Sequence, residues 1–264
     1  MPVLTPMPSR RSFLALTGSA ALAACAPRPE ETPDDPVSRY GFAPVEGYEA
    51  MEDNGYHLPP VPPQYLAWPN RRQLVFYEGS RAPGDIEIDP YAKFLYYVMS
   101  DGTAWRYPIA VGRAGLALRG RTTIRQKKEW PGWTPTKNML RTQPEVYGPF
   151  ARGVPGGIAS PLGARALYLY RGGKDSYFRI HGTNDLSSIG NSGSAGCIRL
   201  FNHDIIDLAS RVSIPTEVYV RSEEESLRIL GPEMSPRGVE LPPKIVSPET
   251  IYGATEVAVE DPGV

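Results

Sequence analysis

The sequence predicts a mostly β domain with a few helices, and three observations carry that prediction. Short runs dense in aromatic and β-branched residues recur between about residues 72 and 221. Turn signals such as Asp101-Gly102 separate them. Prolines crowd both flanks, with Pro59, Pro60, Pro62, Pro63 and Pro69 before and Pro232, Pro236, Pro242, Pro243 and Pro248 after. They oppose helix and central strand alike, so the regular elements must lie between them.

At the N-terminus, Arg10-Arg11 precedes an apolar, small-residue run from Phe13 to Ala24. A bilayer span needs about 20 apolar residues, so the run is too short to cross a membrane and fits the core of an export signal. The arginine pair has the twin-arginine pattern. Leu22-Ala23-Ala24-Cys25 resembles a bacterial lipoprotein cleavage box, in which Cys25 becomes the lipidated first residue. The expected division is a signal at 1–24, a proline-rich tether at 25–70, a catalytic domain at 71–222 and a proline-rich tail at 223–264.

Within the domain, strands are expected at Leu74–Tyr77 and Phe94–Met99. After the Asp101-Gly102 turn the chain should return as Ala104–Val111. The turn is expected to hold both central residues at positive φ. Pro108 cannot donate to a ladder, so it should mark an edge or a bulge. Further strands are expected at Thr122–Lys127, Ala166–Tyr170, Tyr177–His181, Ile198–Leu200 and Glu217–Val220. Trp130–Gly163 is rich in proline and glycine and long for a structureless connection, which marks a functional loop. One helix follows, with Asn202 as its cap, Asp204 in its first turn and Ile205, Ile206, Leu208 and Ala209 as its apolar face.

Composition excludes several function classes. Without residues 1–24 the chain carries 26 basic and 29 acidic residues, a net charge of −3. A nucleic-acid binder would show a basic excess instead. The basic run Arg125–Lys128 reads as a solvated strand face. With His57, His181 and His203 as the only histidines, no Cys/His zinc spacing exists, and no phosphate-binding glycine loop is present. No metal or cofactor is expected. His57 lies among the tether prolines, and His203 is expected on the exposed side of the helix.

The chemistry points to Cys197. Cys25 belongs to the signal, so Cys197 has no disulfide partner. A thiolate is the strongest side-chain nucleophile, and His181, sixteen residues earlier, can serve as its base through a thiolate–imidazolium pair. Gly193, Ser194 and Gly196 make a tight turn before Cys197, where backbone N–H groups can meet an oxyanion.

These blocks carry a resemblance. His181-Gly182, then Ser194-Ala195-Gly196-Cys197-Ile198-Arg199, with Gly156–Leu167 upstream and Val111-Gly112-Arg113 at a strand end, resembles the YkuD-type L,D-transpeptidases that crosslink bacterial peptidoglycan. Many members carry a histidine where this chain has Ala195. The resemblance implies a β-sandwich or barrel-type domain with a Cys/His cleft, Cys197 as nucleophile, His181 as base and the Gly182 carbonyl orienting the imidazole. Ser194, Ala195 and Gly196 would form the oxyanion loop. Arg199 would meet a substrate carboxylate, with a loop-supporting ion pair as its other reading, and Tyr168, Tyr170, Trp133 and Asn191 would line the cleft. The implied donor is a stem tetrapeptide, cleaved between its diamino acid and D-alanine and passed through a thioester to an amine. Two alternatives stay open: hydrolysis on the same site, as a carboxypeptidase or an amidase releasing a wall-attached protein, and a wall-binding module without turnover. The implied location is the periplasmic side of a bacterial envelope, held by the Cys25 lipid, with peptidoglycan stem peptides as partners. The oligomeric state stays open.

Overall fold

The computed structural model describes residues 41–112, 115, 118–193 and 196–252. A hairpin of β1 (Met51–Asp53) and β2 (Tyr56–Leu58) precedes one large sheet. The sheet strands are β3 (Gln73–Phe76), β4 (Ile86–Asp89), β5 (Phe94–Val98), β6 (Thr103–Pro108), β7 (Ala110–Val111), β8 (Gly120–Glu129), β9 (Arg165–Arg171), β10 (Lys174–Thr183), β11 (Ile198–Phe201) and β12 (Thr216–Val220). Their order across the 10-stranded sheet is β3-β6-β5-β4-β12-β8-β9-β10-β11-β7. The helices are α1 (Lys137–Thr142), α2 (Pro144–Tyr147), α3 (Asn202–Arg211), α4 (Glu223–Leu230) and α5 (Pro248–Tyr252).

That order fixes the shape. β6 and β7 are separated only by Ile109, yet they lie near opposite ends of the sheet. Two residues of chain span at most about 7 Å. The sheet therefore curls until its ends nearly meet, giving a half-barrel rather than a flat layer. Pro108 is the hinge of this arrangement. It pairs with Phe94 beyond the reach of β3, whose register ends at Arg106. Its missing N–H thus falls where no neighbour asks for one.

Inward-facing Ile88, Leu95, Tyr107, Ile124, Leu167, Leu169, Ile180 and Leu200 form the core, and α3 adds Ile205 and Leu208. Among the described residues no helix is long and apolar enough to cross a membrane.

All the strands expected from the sequence are present, and β4 is one that was missed. Its sequence Ile86-Glu87-Ile88-Asp89 looks half solvated, but all four residues are buried. The cause is Arg221, itself buried, whose guanidinium lies 2.6 Å from Glu87 and 3.2 Å from Asp89. Buried charges need such partners. The Asp101-Gly102 turn also differs from expectation. Only Gly102 has positive φ, at 80°, while Asp101 accepts from the N–H and hydroxyl of Thr103. The turn is a longer loop stabilised by a side chain.

The helix cap is corrected too. Phe201 is the capping residue of α3, and Asn202 is the first helical residue. The Asn202 side chain is drawn away, because its Oδ1 accepts from the Ala164 N–H at 2.9 Å. The flanks are more built than their prolines suggest. Residues 41–70 supply the β1–β2 hairpin and bury Tyr48, Leu58, Val61 and Leu66. Arg165 on β9 grips Asp53 through two hydrogen bonds of 2.6 and 2.7 Å. In the tail, Ser222 and Glu225 form a capping box that starts α4, and buried Ser226 donates to Asp89. Proline excludes regular ladders, but it does not exclude burial.

Candidate active site

Strand register brings the predicted residues together. β10 and β11 are parallel, with His181 beside Arg199 and Ile180 beside Ile198. Side chains alternate faces with period 2. Cys197 precedes Ile198, so Cys197 and Arg199 share a face, and Arg179 and His181 share the matching one. All four line one cleft of about 440 Å³. Trp133, Met139, Tyr147 and Tyr168 make its walls, with Pro161 and Ile245 at one end. A cavity of similar size, about 400 Å³, lies between Arg81, Arg121 and Glu217 and contains neither cysteine nor histidine.

The His181 imidazole has a backbone partner. His181 Nδ1 lies 2.6 Å from the Gly182 carbonyl oxygen. A carbonyl only accepts, so Nδ1 carries the hydrogen and Nε2 of the neutral ring keeps its lone pair. Gly182 must be glycine here, because a Cβ at 182 would overlap Asn202 Oδ1. Gly163 faces the same oxygen and the Gly182 backbone at φ 62°. The helix start, the 156–165 block and the His181 anchor are thus one packed unit.

Burial sets the charge states. Desolvation, with the Arg199 charge, pushes the His181 pKa down to about 3. Desolvation also pushes the Cys197 thiol up, although a backbone bond with Arg179 and the charges of Arg179 and Arg199 pull the other way. Both charged forms are disfavoured at rest. Desolvation thus works against both charges, while Arg179 and Arg199 favour the thiolate and oppose the imidazolium. Gly196 takes φ 135°, a conformation that favours glycine, directly before Cys197. Ser194, Ala195 and Arg113 lie outside the described residues, as do residues 1–40 with Cys25 and the export signal.

Arg199 has an internal role. Its Nη1 donates to the Gly193 carbonyl at 2.9 Å and lies 3.4 Å from Asp185. The guanidinium therefore ties down the 184–193 connection while also lining the cleft. Tyr168 lines the cleft beneath Arg179, whose guanidinium sits 4.0 Å from the ring centre. Trp133 also lines it, packed edge-on against Phe150. Tyr170 and Asn191 do not. Asn191 Nδ2 donates to the Ser187 carbonyl, and Oδ1 accepts from the Val239 N–H. Lys127, in the expected solvated basic run, donates to the Ala209 and Val212 carbonyls at the α3 C-terminus.

His203 corrects another expectation. It is buried, not exposed, and its Nε2 lies 2.8 Å from the Glu49 carbonyl. Segment 41–58 covers the helix side that the sequence left open. His57 sits on β2 beside Glu52, away from the cleft. The sequence missed Met139, Tyr147, Tyr177 and Ile245 as cleft residues. Met139 and Tyr147 lie on helices of 6 and 4 residues, too short for a periodic signal. Tyr177 is aimed outward by a bulge between Asp175 and Arg179 and takes φ 63°.

Comparison with known proteins gives the kinship of the chain. The L,D-transpeptidase catalytic domain model, YkuD, matches residues 83–220. The chain belongs to the YkuD family. It is 36% identical over 130 residues to the probable L,D-transpeptidase ErfK/SrfK of Escherichia coli (strain K12), covering 48% of this chain and 40% of that one. It is 35% identical over 128 residues to the probable L,D-transpeptidase YbiS of the same strain, again covering 48% and 40%. The matches thus span well under two thirds of these relatives. A solved structure described as a probable carnitine operon oxidoreductase from Brucella melitensis is 49% identical and covers 60% of this chain and 98% of that one, with a TM-score of 0.40. A superposition that loose supports no statement about chemistry. The YkuD domain here is mostly β, a curled sheet with few helices.

Proposed function

We propose that this YkuD domain is a peptidoglycan L,D-transpeptidase with Cys197 as nucleophile and His181 as general base. The observation that carries the reading is the single cleft shared by Cys197, His181 and Arg199, with His181 Nδ1 held by the Gly182 carbonyl. As Cys197 Sγ attacks the diamino-acid carbonyl of a stem tetrapeptide, Nε2 of His181 takes the thiol proton. The N–H groups around Gly196 and Cys197 meet the oxyanion, together with the loop at Ser194 and Ala195. The C–N bond breaks, His181 returns the proton to the departing D-alanine amine, and a thioester remains. The amine of a second stem then attacks the thioester, His181 accepts its proton, and the thiol is restored. The apolar walls from Trp133, Met139 and Tyr147 offer contact to the acyl donor, and an amine is the proposed acceptor.

Export by the twin-arginine route and lipid attachment at Cys25 would place the reaction on the periplasmic side of the envelope. Mass spectrometry of muropeptides incubated with the purified protein tests the reading. Crosslinked dimers with released D-alanine are expected. Trimmed monomers would move the assignment to hydrolysis, and unchanged muropeptides would leave only a wall-binding module. Fatty-acid labelling of wild type, lost in Cys25→Ala, tests the anchor.

A further inference from the structure

The cleft has a wall that the family domain does not supply. The matched region ends at residue 220, yet Ile245 lines the cleft that holds Cys197 and His181. The chain reaches this point by crossing the 184–193 connection. The Ser192 N–H donates to the Val239 carbonyl and the Leu241 N–H donates to the Ser192 carbonyl, both at 2.9 Å. Asn191 Oδ1 accepts from the Val239 N–H at 3.0 Å. Beyond this bridge stand Pro242 and Pro243, whose rings restrict the backbone and set an extended path. Lys244 then latches the segment, with its Nζ 2.9 Å from Ser187 Oγ and 3.2 Å from Asp185. Asp185 is the carboxylate that also faces Arg199.

Ile245 is therefore placed by a bridge on one side and an ion pair next to it. It borders the main cleft and also a smaller hollow lined by Thr183, Asn184, Asp185 and Arg199. Together with Pro161 and Arg199, which line both as well, it stands between them.

We infer that segment 239–246 is a specificity wall for the stem peptide, in which Ile245 packs on bound donor and Lys244 holds it in place. The inference rests on the proposed transpeptidase reading and names the part of the cleft that selects its substrate. A half-buried apolar residue on the cleft lining gains further apolar contact when the cleft is filled. Its effect thus belongs to substrate binding, whereas the reactivity of Cys197 toward a small reagent does not need it.

The test uses the full chain. In Ile245→Ala, KM for a tetrapeptide muropeptide should rise about tenfold, as loss of one buried apolar side chain predicts, with kcat falling less. Alkylation of Cys197 by iodoacetamide should keep its wild-type rate. Lys244→Met should raise KM by a smaller factor and speed hydrogen exchange at the Ser192 and Leu241 amides, and Lys244→Arg should restore both. An unchanged KM in Ile245→Ala overturns the inference. So does a parallel fall in alkylation, which would make the segment a support for Cys197 alone. Donor affinity is measured in parallel by calorimetry. Wild type that binds donor without turning it over sinks the proposed reaction, and the wall is then judged by whether Ile245→Ala weakens that binding. Wild type that binds no donor sinks both.

Discussion

The two sides of the β10–β11 pair each bury a histidine, and only one of them shares a cleft with a thiol. On the cleft side, His181 rests on the Gly182 carbonyl and shares its cavity with Cys197. On the helix side, His203 rests on the Glu49 carbonyl, against Tyr48 and beneath segment 41–58. Desolvation lowers the pKa of both, to about 3 and about 4. Burial, a backbone partner and a depressed pKa are therefore common to a catalytic candidate and a packing residue. What separates them is access: His181 opens on a cavity with a thiol, and His203 does not.

The sharpest way to break this comparison is to exchange the two by mutation. His181→Gln should slow acylation of Cys197 near neutral pH by about 10²–10⁴-fold, the usual range for a lost general base. Part of the rate should return at alkaline pH, where the thiol ionises unaided. His203→Gln should leave the acylation rate near wild type, since that ring packs on Tyr48 and the Glu49 carbonyl. A pH profile of adduct formation by mass spectrometry checks both, and the opposite pattern would transfer the base to His203.

Uncovering the helix side sharpens it next. Asp53→Ala removes the carboxylate that Arg165 grips, with both side chains about nine-tenths buried. The cost should be roughly 3 kcal/mol, the low end for breaking a buried pair from one side. Urea unfolding measures it. The same variant should loosen segment 41–58, so the His203 resonance should titrate closer to the usual 6.5 while that of His181 stays low.

A smaller effect lies between the two sides. Gly182→Ala would drive a Cβ into Asn202 Oδ1, and overpacking of this kind costs about 1–3 kcal/mol. Because the Gly182 carbonyl orients His181, acylation should slow beyond what the loss of stability explains. A destabilised variant with wild-type acylation would separate the helix start from the site.

The smallest effect is the pH dependence of stability. Between pH 6.5 and about 4 the unfolded chain binds protons on both histidines that the folded chain refuses. Stability therefore falls as pH drops through this window. Asp204 opposes the trend. Desolvation raises its pKa from 3.8 to about 7, so the fold binds its proton first and loses stability as pH rises from about 4 to 7. With two groups against one, the net slope should favour neutral pH. His203→Gln should shrink the drop in Tm between pH 7 and pH 5, and an unchanged drop would mean that His203 is not protected in the fold.

The helix side also shows why parts of the fold escaped the sequence. Strands such as Phe94–Val98 are legible because branched and aromatic runs announce themselves locally. Ile86–Asp89 is not, because the charge partner of its two acids is Arg221, more than 130 positions away. His203 looked exposed because nothing within its own helix says that segment 41–58 will lie over it. Asn202 has the side chain of a cap, yet the Ala164 N–H across the fold claims its oxygen.

By itself the sequence determined the half-barrel's main strands and the family, and it singled out Cys197, His181 and Gly182 as candidates, since strand propensity and a contiguous motif are local properties of the chain. The tertiary structure decided that residues 41–70 pack on the sheet, and it decided which titratable groups are desolvated. Desolvation lowers the His181 pKa and raises that of Cys197, because it depends on everything packed around the two groups. It also put Ile245, outside the family domain, into the cleft. Hydrogen bonds at Ser192 and the Lys244–Asp185 pair hold it there. Such contacts join residues about fifty positions apart, and no local pattern encodes them.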